Sequence, residues 1–407
     1  MDGDLSHAES RRGGEFFSRK ERIDRKGWKR VRLGDIGEVL RGVSFDGQKD
    51  IRPQNSAQSV AIFRSNNIQD ATINHSDLIY VRKSRVNQLQ LMRSNDILIC
   101  MANGSKKLVG KSALFKGAKQ EFSFGAFMGV FRCFNETMAS FFAYLLLTNQ
   151  YREYIDVLLS GSSINNLRPS DIENLEFSIP PSSEQLRIAN TLKLCDDHIS
   201  ALQSLIAKYE AIKKATVNLL LKPKVGWRQI TLSDIGAVLM CKRILKNQTT
   251  ETGDVPFYKI GTFGKTPDSF ISRSLFEDFK ARFSYPNKGD VLLSAAGTIG
   301  RTVVFNGEDA YFQDSNIVWI DNNESIVTNR FLNVLYGQMD WQTENGGTVS
   351  RLYNANIRNT RISIPTLTEQ KRIVGILDSI DGTINGLKSQ LAKAKDIKQG
   401  MMSYFFG

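Results

Sequence analysis

From Ile188 the apolar positions run Ile188, Leu192, Cys195, Ile199, Leu202, Ile206 and Tyr209, in alternating steps of four and three. The same steps return 185 residues on, as Ile373, Leu377, Ile380, Ile384, Leu387, Leu391 and Ala394. A heptad this strict, bordered by Asp, Lys, Gln and Ser, predicts a coiled-coil seam rather than a broad amphipathic face. A seam needs a partner, and the economical one is the other copy in the same chain. At ~1.5 Å per residue the roughly 32 residues from Ile188 to Leu219 make a rod of about 48 Å, longer than the ~34 Å of one duplex turn.

Each heptad has the same entrance, IPPSSEQ at Ile179–Gln185 and IPTLTEQ at Ile364–Gln370. The residue before proline is pushed out of the helical region, so Ile-Pro ends an extended segment. Ser182, Ser183, Thr366 and Thr368 then supply cap oxygens, and Glu184 and Glu369 suit the positive helix start. Upstream, short apolar or alternating runs (DILIC, VVF, NIVWI) alternate with Gly, Asn and Ser turns, as in an α+β domain.

The upstream parts repeat as well. GWKRVRLGDIGEVL (Gly27–Leu40) returns 199 residues on as GWRQITLSDIGAVL. VAIFRSNNI (Val60–Ile68) aligns with VPFYKIGTF (Val255–Phe263), and NDILICMANGSKKLVGK (Asn95–Lys111) with GDVLLSAAGTIGR (Gly289–Arg301). GSSINNLRPSDIENLEFSIP (Gly161–Pro180) aligns with GGTVSRLYNANIRNTRISIP (Gly346–Pro365). A repeat this long is a domain rather than a solenoid unit. The expected plan is a polar leader at 1–26, a globular domain at 27–182, a helix at 183–225, a second globular domain at 226–367 and a second helix at 368–407. The fold class is α+β: two pseudo-repeated globular α/β domains separated by two long antiparallel coiled-coil helices.

Composition narrows the function. A 41% hydrophobic and 24% charged chain is globular rather than disordered. The net charge of +12 makes a polyanion, nucleic acid first, the leading partner. The longest apolar runs, such as FFAYLLL at Phe141–Leu147, fall short of the ~20 residues that span a bilayer. The opening MDGDLSHAES has no apolar core, so a cytoplasmic location without membrane contact is expected. Cys100, Cys133, Cys195 and Cys241 lie too far apart for metal pairs, and His7, His75 and His198 stand alone, so no metal is expected.

The doubled layout, GW…L[GS]DIG, then D[IV]L…G…[KR], then IP…EQ leading into a heptad, resembles the specificity subunit of type I restriction-modification enzymes from Gly27 to Phe406. That resemblance implies two target recognition domains, each reading one half of a bipartite, asymmetric site on double-stranded DNA. It implies helices that space the domains and dock two methyltransferase subunits, with motor-nuclease subunits added for restriction. S-adenosylmethionine, ATP and Mg would then be bound by those partners and none by this chain. The competing reading is a coiled-coil DNA-binding regulator or scaffold that acts without a methyltransferase.

The motifs agree with a non-catalytic chain. An adenine methyltransferase needs an Asn/Asp-Pro-Pro-aromatic tetrapeptide around the flipped base, whereas the single Pro-Pro here, Pro180-Pro181, follows Ile and precedes Ser. GSKKLVGKS at Gly104–Ser112 is one residue too long for a phosphate-binding loop. Its Lys106, Lys107 and Lys111 read as a basic DNA-facing turn or as a solvated hairpin, and Lys259, Thr298 and Arg301 are candidates in the corresponding second-copy segments. Arg64, Asn66 and Asn67 suit either an adenine edge or a turn. Arg82, Lys83 and Arg85, like Lys242, Arg243 and Lys246, suit phosphates or solvent. Gln313 and Asn316, with Asp314 and Ser315, suit bases or a capped turn. Trp28 and Trp227 occupy matched positions and are expected in the framework core.

Overall fold

The computed structural model describes residues 25, 27–160, 165–341 and 351–407. The polar leader, except Arg25, and the openings of the two aligned segments at Gly161 and Gly346 lie outside the described residues. The chain forms two compact units, Met1–Ala201 with Leu391–Gly407, and Leu202–Gln390. The division passes through both long helices.

In the first unit a ribbon pairs Lys29–Arg32 antiparallel with Glu176–Ile179, Lys29 opposite Ile179. An antiparallel sheet follows in the order Gly37–Arg41, Met128–Cys133, Ile97–Cys100, Ser112–Leu114. A second sheet, ordered Phe122–Phe124, Ser59–Phe63, Ile79–Arg82, Ile51–Arg52, contains one parallel pair, Phe122–Phe124 with Ser59–Phe63. ILIC at Ile97–Cys100 is buried on both faces, as an unbroken apolar run requires.

The second unit repeats this plan. Its ribbon pairs Arg228–Thr231 with Arg361–Ile364, Arg228 opposite Ile364, the register the sequence offsets of 199 and 185 demand. Its first sheet runs Val238–Leu239, Ile317–Ile320, Val291–Ser294, Thr302–Val304. Its second sheet has three strands, Phe270–Ile271, Val255–Tyr258 and Tyr311–Phe312, and again one parallel pair, Val255–Tyr258 with Tyr311–Phe312. The helix Arg273–Arg282 follows Phe270–Ile271 in this unit.

The helices span Ser182–Leu220 and Leu367–Phe406. In the first unit Ile188, Ala189 and Leu192 join a core that also holds Phe405, with Met401, Met402 and Phe406 packed against it. In the second, Ile373, Val374 and Leu377 share a core with Val217, with Leu220 and Leu221 against it. Each unit therefore buries the first turns of one helix beside the last turns of the other, and each buried Ile or Leu contributes about 1.5–3 kcal/mol. Contacts between the helices run in opposite directions in both units. Cys195 Sγ lies 3.5 Å from Met401 Sδ, and Lys398 pairs with Asp196. In the second unit Lys213 Nζ meets Asp381 at 2.6 Å and Lys388 meets Glu210 at 2.8 Å.

Every position of the heptad stripe is covered to some degree. Ile188, Leu192, Leu202, Ile206, Ile373, Leu377, Ile384 and Ala394 are buried, and Cys195, Ile199, Tyr209, Ile380, Leu387 and Leu391 are half-buried. The glutamine of the entrance signature also has a structural role. Gln185 Nε2 donates to the Pro180 carbonyl at 2.8 Å, and Gln370 Nε2 donates to that of Pro365 at 3.0 Å. A buried amide thus ties the helix start to the strand that precedes it, which is why Pro and Gln recur at a fixed spacing. Trp227 packs partly on the second-unit core. Trp28 is only half-buried, with its indole N–H unpartnered and Arg25 over its ring at 5.1 Å.

Candidate nucleic-acid interface

In the first unit, the loop after Ile97–Cys100 carries Asn103, Lys106 and Lys107. The backbone N–H groups of Met101 and Ala102 donate to the Phe127 carbonyl at 2.9 and 3.0 Å. Leu167 N–H donates to the Met101 carbonyl at 2.8 Å. Asn103 Nδ2 donates to Ser65 Oγ at 3.1 Å, which brings the Arg64–Asn67 turn to the same edge. Lys106 and Lys107 lie exposed on one 3₁₀ turn, Lys106–Leu108, with no ion pair among the described residues. Asn66 is exposed, its amide donating to Asp77 at 2.7 Å, and Arg64 bonds the same carboxylate at 2.9 Å.

Other sequence candidates are internal ties. Asn67 is buried: its Oδ1 accepts from Arg64 N–H at 2.8 Å and its Nδ2 donates to the carbonyls of Asn74 and Ser76. Its amide closes a turn and has no donor left for a base. Lys111 is half-buried and donates to the Ile68 carbonyl at 2.6 Å. Its second-copy counterpart, Arg301, donates to the Phe263 carbonyl at 3.0 Å, and Phe263 aligns with Ile68. The shared basic position thus ties the residue before an edge strand to the carbonyl of an aligned residue in both units. The glycine before it has a conformational reason: Gly110 has φ +85° and Gly300 φ +83°, the left-handed region. The segment around it is a hairpin between two strands, not the strand-to-helix turn of a phosphate loop.

Arg82, Lys83 and Arg85 are exposed but not part of this edge. Ser59 lies opposite Arg82, so they sit at the start of the strand whose end leads into Arg64. There Lys83 pairs with Glu121 and Arg85 with Asp50.

The second unit has a corresponding edge. Ala295 N–H donates to the Asn316 carbonyl at 2.7 Å and Leu352 N–H to the Ala295 carbonyl at 2.8 Å, matching Met101, Phe127 and Leu167. Gln313 Oε1 accepts from Ile260 N–H at 2.9 Å, Lys259 pairs with Asp268 at 2.9 Å, and Arg243 donates to Asp314 at 2.8 Å. Thr298 is exposed in the adjoining turn, and its carbonyl accepts from Ser294 Oγ. Asn316 is half-buried, and among the described residues its side-chain amide makes no hydrogen bond. Lys246 is exposed on a separate turn, and Lys242 lies over the Phe283 ring at 5.1 Å.

Sequence reading missed Arg351, which donates to the Ser315 carbonyl at 3.1 Å, and Phe127. The 185-residue offset signals Arg351, because it aligns that residue with Asn166, and Ala102–Asn166 and Ala296–Arg351 form matching bridges. Nucleophilic chemistry finds no support in the thiols. Burial raises Cys100 to about 11 and Cys133 and Cys241 to about 12, so all three stay protonated. Among the described residues no group of His, Cys, Asp and Glu could hold a metal, and no helix is long and apolar enough to cross a membrane.

Two copies of one framework, each offering polar and basic groups along a strand-end edge, define a doubled recognition protein. The Type I restriction modification DNA specificity domain matches residues 25–211 and 224–395. A Haemophilus influenzae protein named as a type I restriction enzyme specificity subunit is 44% identical over 286 residues, 66% of this chain and 71% of that one. The StySPI specificity subunit of Salmonella potsdam is 26% identical over 91% of this chain and 85% of its own. The crystal structure of a type I restriction-modification S subunit from M. genitalium shares the fold, with TM-score 0.56 at 18% identity over 94% of this chain and 96% of that chain. The chain belongs to the type I restriction-modification DNA specificity family. The match favours that reading over a free-standing regulator.

Proposed function

We infer that this chain is the DNA sequence-recognition subunit of a type I restriction-modification complex. Domains 27–182 and 226–367 each read one half of a bipartite, asymmetric site on double-stranded DNA. The observation that carries this is the match between the two strand-end edges: corresponding backbone bonds, Met101 to Phe127 and Leu167 to Met101 in one and Ala295 to Asn316 and Leu352 to Ala295 in the other, present different side chains, as two different half-sites require. Exposed Lys106, Lys107 and Lys246 are suited to phosphates, and Asn66, Asn316 and Gln313 to base edges.

The helices of 183–225 and 368–407 form an antiparallel coiled-coil spacer and dock two methyltransferase subunits; the covered heptad stripes and cross-helix ion pairs support that reading. Adenine methylation and ATP-dependent cleavage reside in methyltransferase and motor-nuclease partners, which bind S-adenosylmethionine, ATP and Mg. The chain itself is non-catalytic and works in the cytoplasm.

The test replaces residues 27–182 with the corresponding domain of another specificity subunit, in cells that also carry the methyltransferase partner. Mapping methylated adenines should show one half-site changed and the other kept. An unaltered site after the exchange would overturn the assignment. Binding by the complex should also weaken steeply with salt, since each neutralised phosphate adds about −0.9 to the slope of log K against log salt.

A further inference from the structure

Phe127 sits at the tip of the turn between the strands Phe122–Phe124 and Met128–Cys133, and the residue is 72% exposed. Its ring makes no aromatic or cation contact among the described residues. A lone exposed phenylalanine is ordinary on a protein surface, so exposure alone argues nothing. Three further observations give this one meaning.

The backbone beneath the ring is fixed. Its carbonyl accepts two N–H bonds, from Met101 and Ala102, and the turn closes through Met128 N–H to the Gly125 carbonyl at 2.8 Å. The ring is therefore held out at a set place rather than swinging on a loose loop. The loop that donates those bonds continues to Lys106 and Lys107, both exposed. An exposed apolar ring on a turn bonded to a lysine-bearing loop suits a surface that is a polyanion outside and apolar in places within its groove. Finally, the shared backbone bonds place Phe127 where the second unit has Asn316. Base edges in the major groove offer two chemistries, hydrogen-bonding groups that an amide reads and the thymine C5 methyl that an apolar side chain reads.

We propose that Phe127 is a base-reading residue of the first unit, its ring packing on the C5 methyl of a thymine in that unit's half-site. This rests on the recognition function above. The ring gains by burying its exposed surface, and the methyl distinguishes thymine from cytosine and from uracil without any hydrogen bond.

The test uses the full chain with its methyltransferase partner and a duplex carrying the mapped site. Each thymine of the first half-site is replaced in turn by deoxyuridine, which deletes only the methyl group. One replacement should weaken wild-type binding about fourfold, the worth of one buried methyl-sized group, and should leave the Phe127→Ala variant unaffected. The variant should bind the unmodified site about tenfold more weakly, with an unchanged melting temperature, because the alanine keeps the backbone carbonyl that holds the turn. Wild-type affinity in Phe127→Ala, or deoxyuridine effects equal in both proteins at every position, would overturn the proposal. Failure of the domain exchange to alter a half-site sinks the recognition reading itself, whereas a successful exchange with a neutral Phe127→Ala sinks only this inference.

Discussion

The two units solve the same problem at a buried carboxylate in different ways. In both, an aspartate at the start of a core strand caps the turn before it: Asp96 Oδ2 accepts from Arg93 N–H, and Asp290 Oδ2 from Asn287 N–H, each at 2.7 Å. In the first unit Arg132 neutralises this acid with bonds of 2.8 and 2.7 Å, the two side chains 9% and 2% exposed. In the second, strand register puts Asp321 at the position of Arg132, and Asp290 Oδ1 accepts from the neutral Asn329 amide at 3.3 Å in place of a guanidinium. Burial, with Asp321 and Glu324 adding to it, pushes the Asp290 carboxyl above its usual range. The repeat preserves the turn but not the charge balance beneath it, so the framework is fixed by backbone geometry and each copy compensates locally.

The largest effect should come from Arg132→Met, which strands Asp96 as a buried, uncompensated charge and should cost about 3–5 kcal/mol. Denaturant melts should show the loss, and a change under 1 kcal/mol would mean that the pair is not load-sharing in the first unit. Next come the helix entrances. Ile188 and Ile373 are both fully buried at matched positions, so alanine at either should cost about 2–5 kcal/mol by transfer and cavity terms. Markedly unequal costs would show that the two entrances are not equivalent.

A smaller effect separates the units by pH. A folded carboxyl held above its unfolded value binds its proton more tightly in the native state. Stability linked to Asp290 is therefore complete below the unfolded value of about 4 and declines as pH rises through the folded one. Asp290→Asn should gain on wild type between pH 4 and pH 7, and a constant difference across that range would contradict the assignment. The smallest effect belongs to the exposed helix pairs: Lys388→Met should cost under about 1 kcal/mol, a loss that salt erases in the wild type.

Much of this plan was legible in sequence because backbone pairing propagates local pattern. The offsets of 199 and 185 gave the ribbon register, the four-three spacing marked the stripe that is covered on both helices, and continuous apolar runs marked the doubly buried strands. What local pattern left open shares a cause. Whether Lys111 or Asn67 faces inward depends on which carbonyl a distant strand brings to it, and no local spacing encodes that. Arg64 follows the strand Ser59–Phe63 and Arg82 ends its antiparallel neighbour Ile79–Arg82, so the pairing sets them at opposite ends of the pair. Phe127 reads as one more core aromatic in FSFGAFMGVF, and only the closed turn shows that it points outward.

The spacer role has the most direct test. One heptad inserted after Ala201 and another after Gly386 keeps the seam in phase and adds about 10 Å to each helix, and the methylated adenines of cells carrying this variant and its partner can then be mapped. The account predicts that both half-sites keep their bases while the gap between them grows by about three base pairs, and a gap identical to that of the unaltered chain would contradict it.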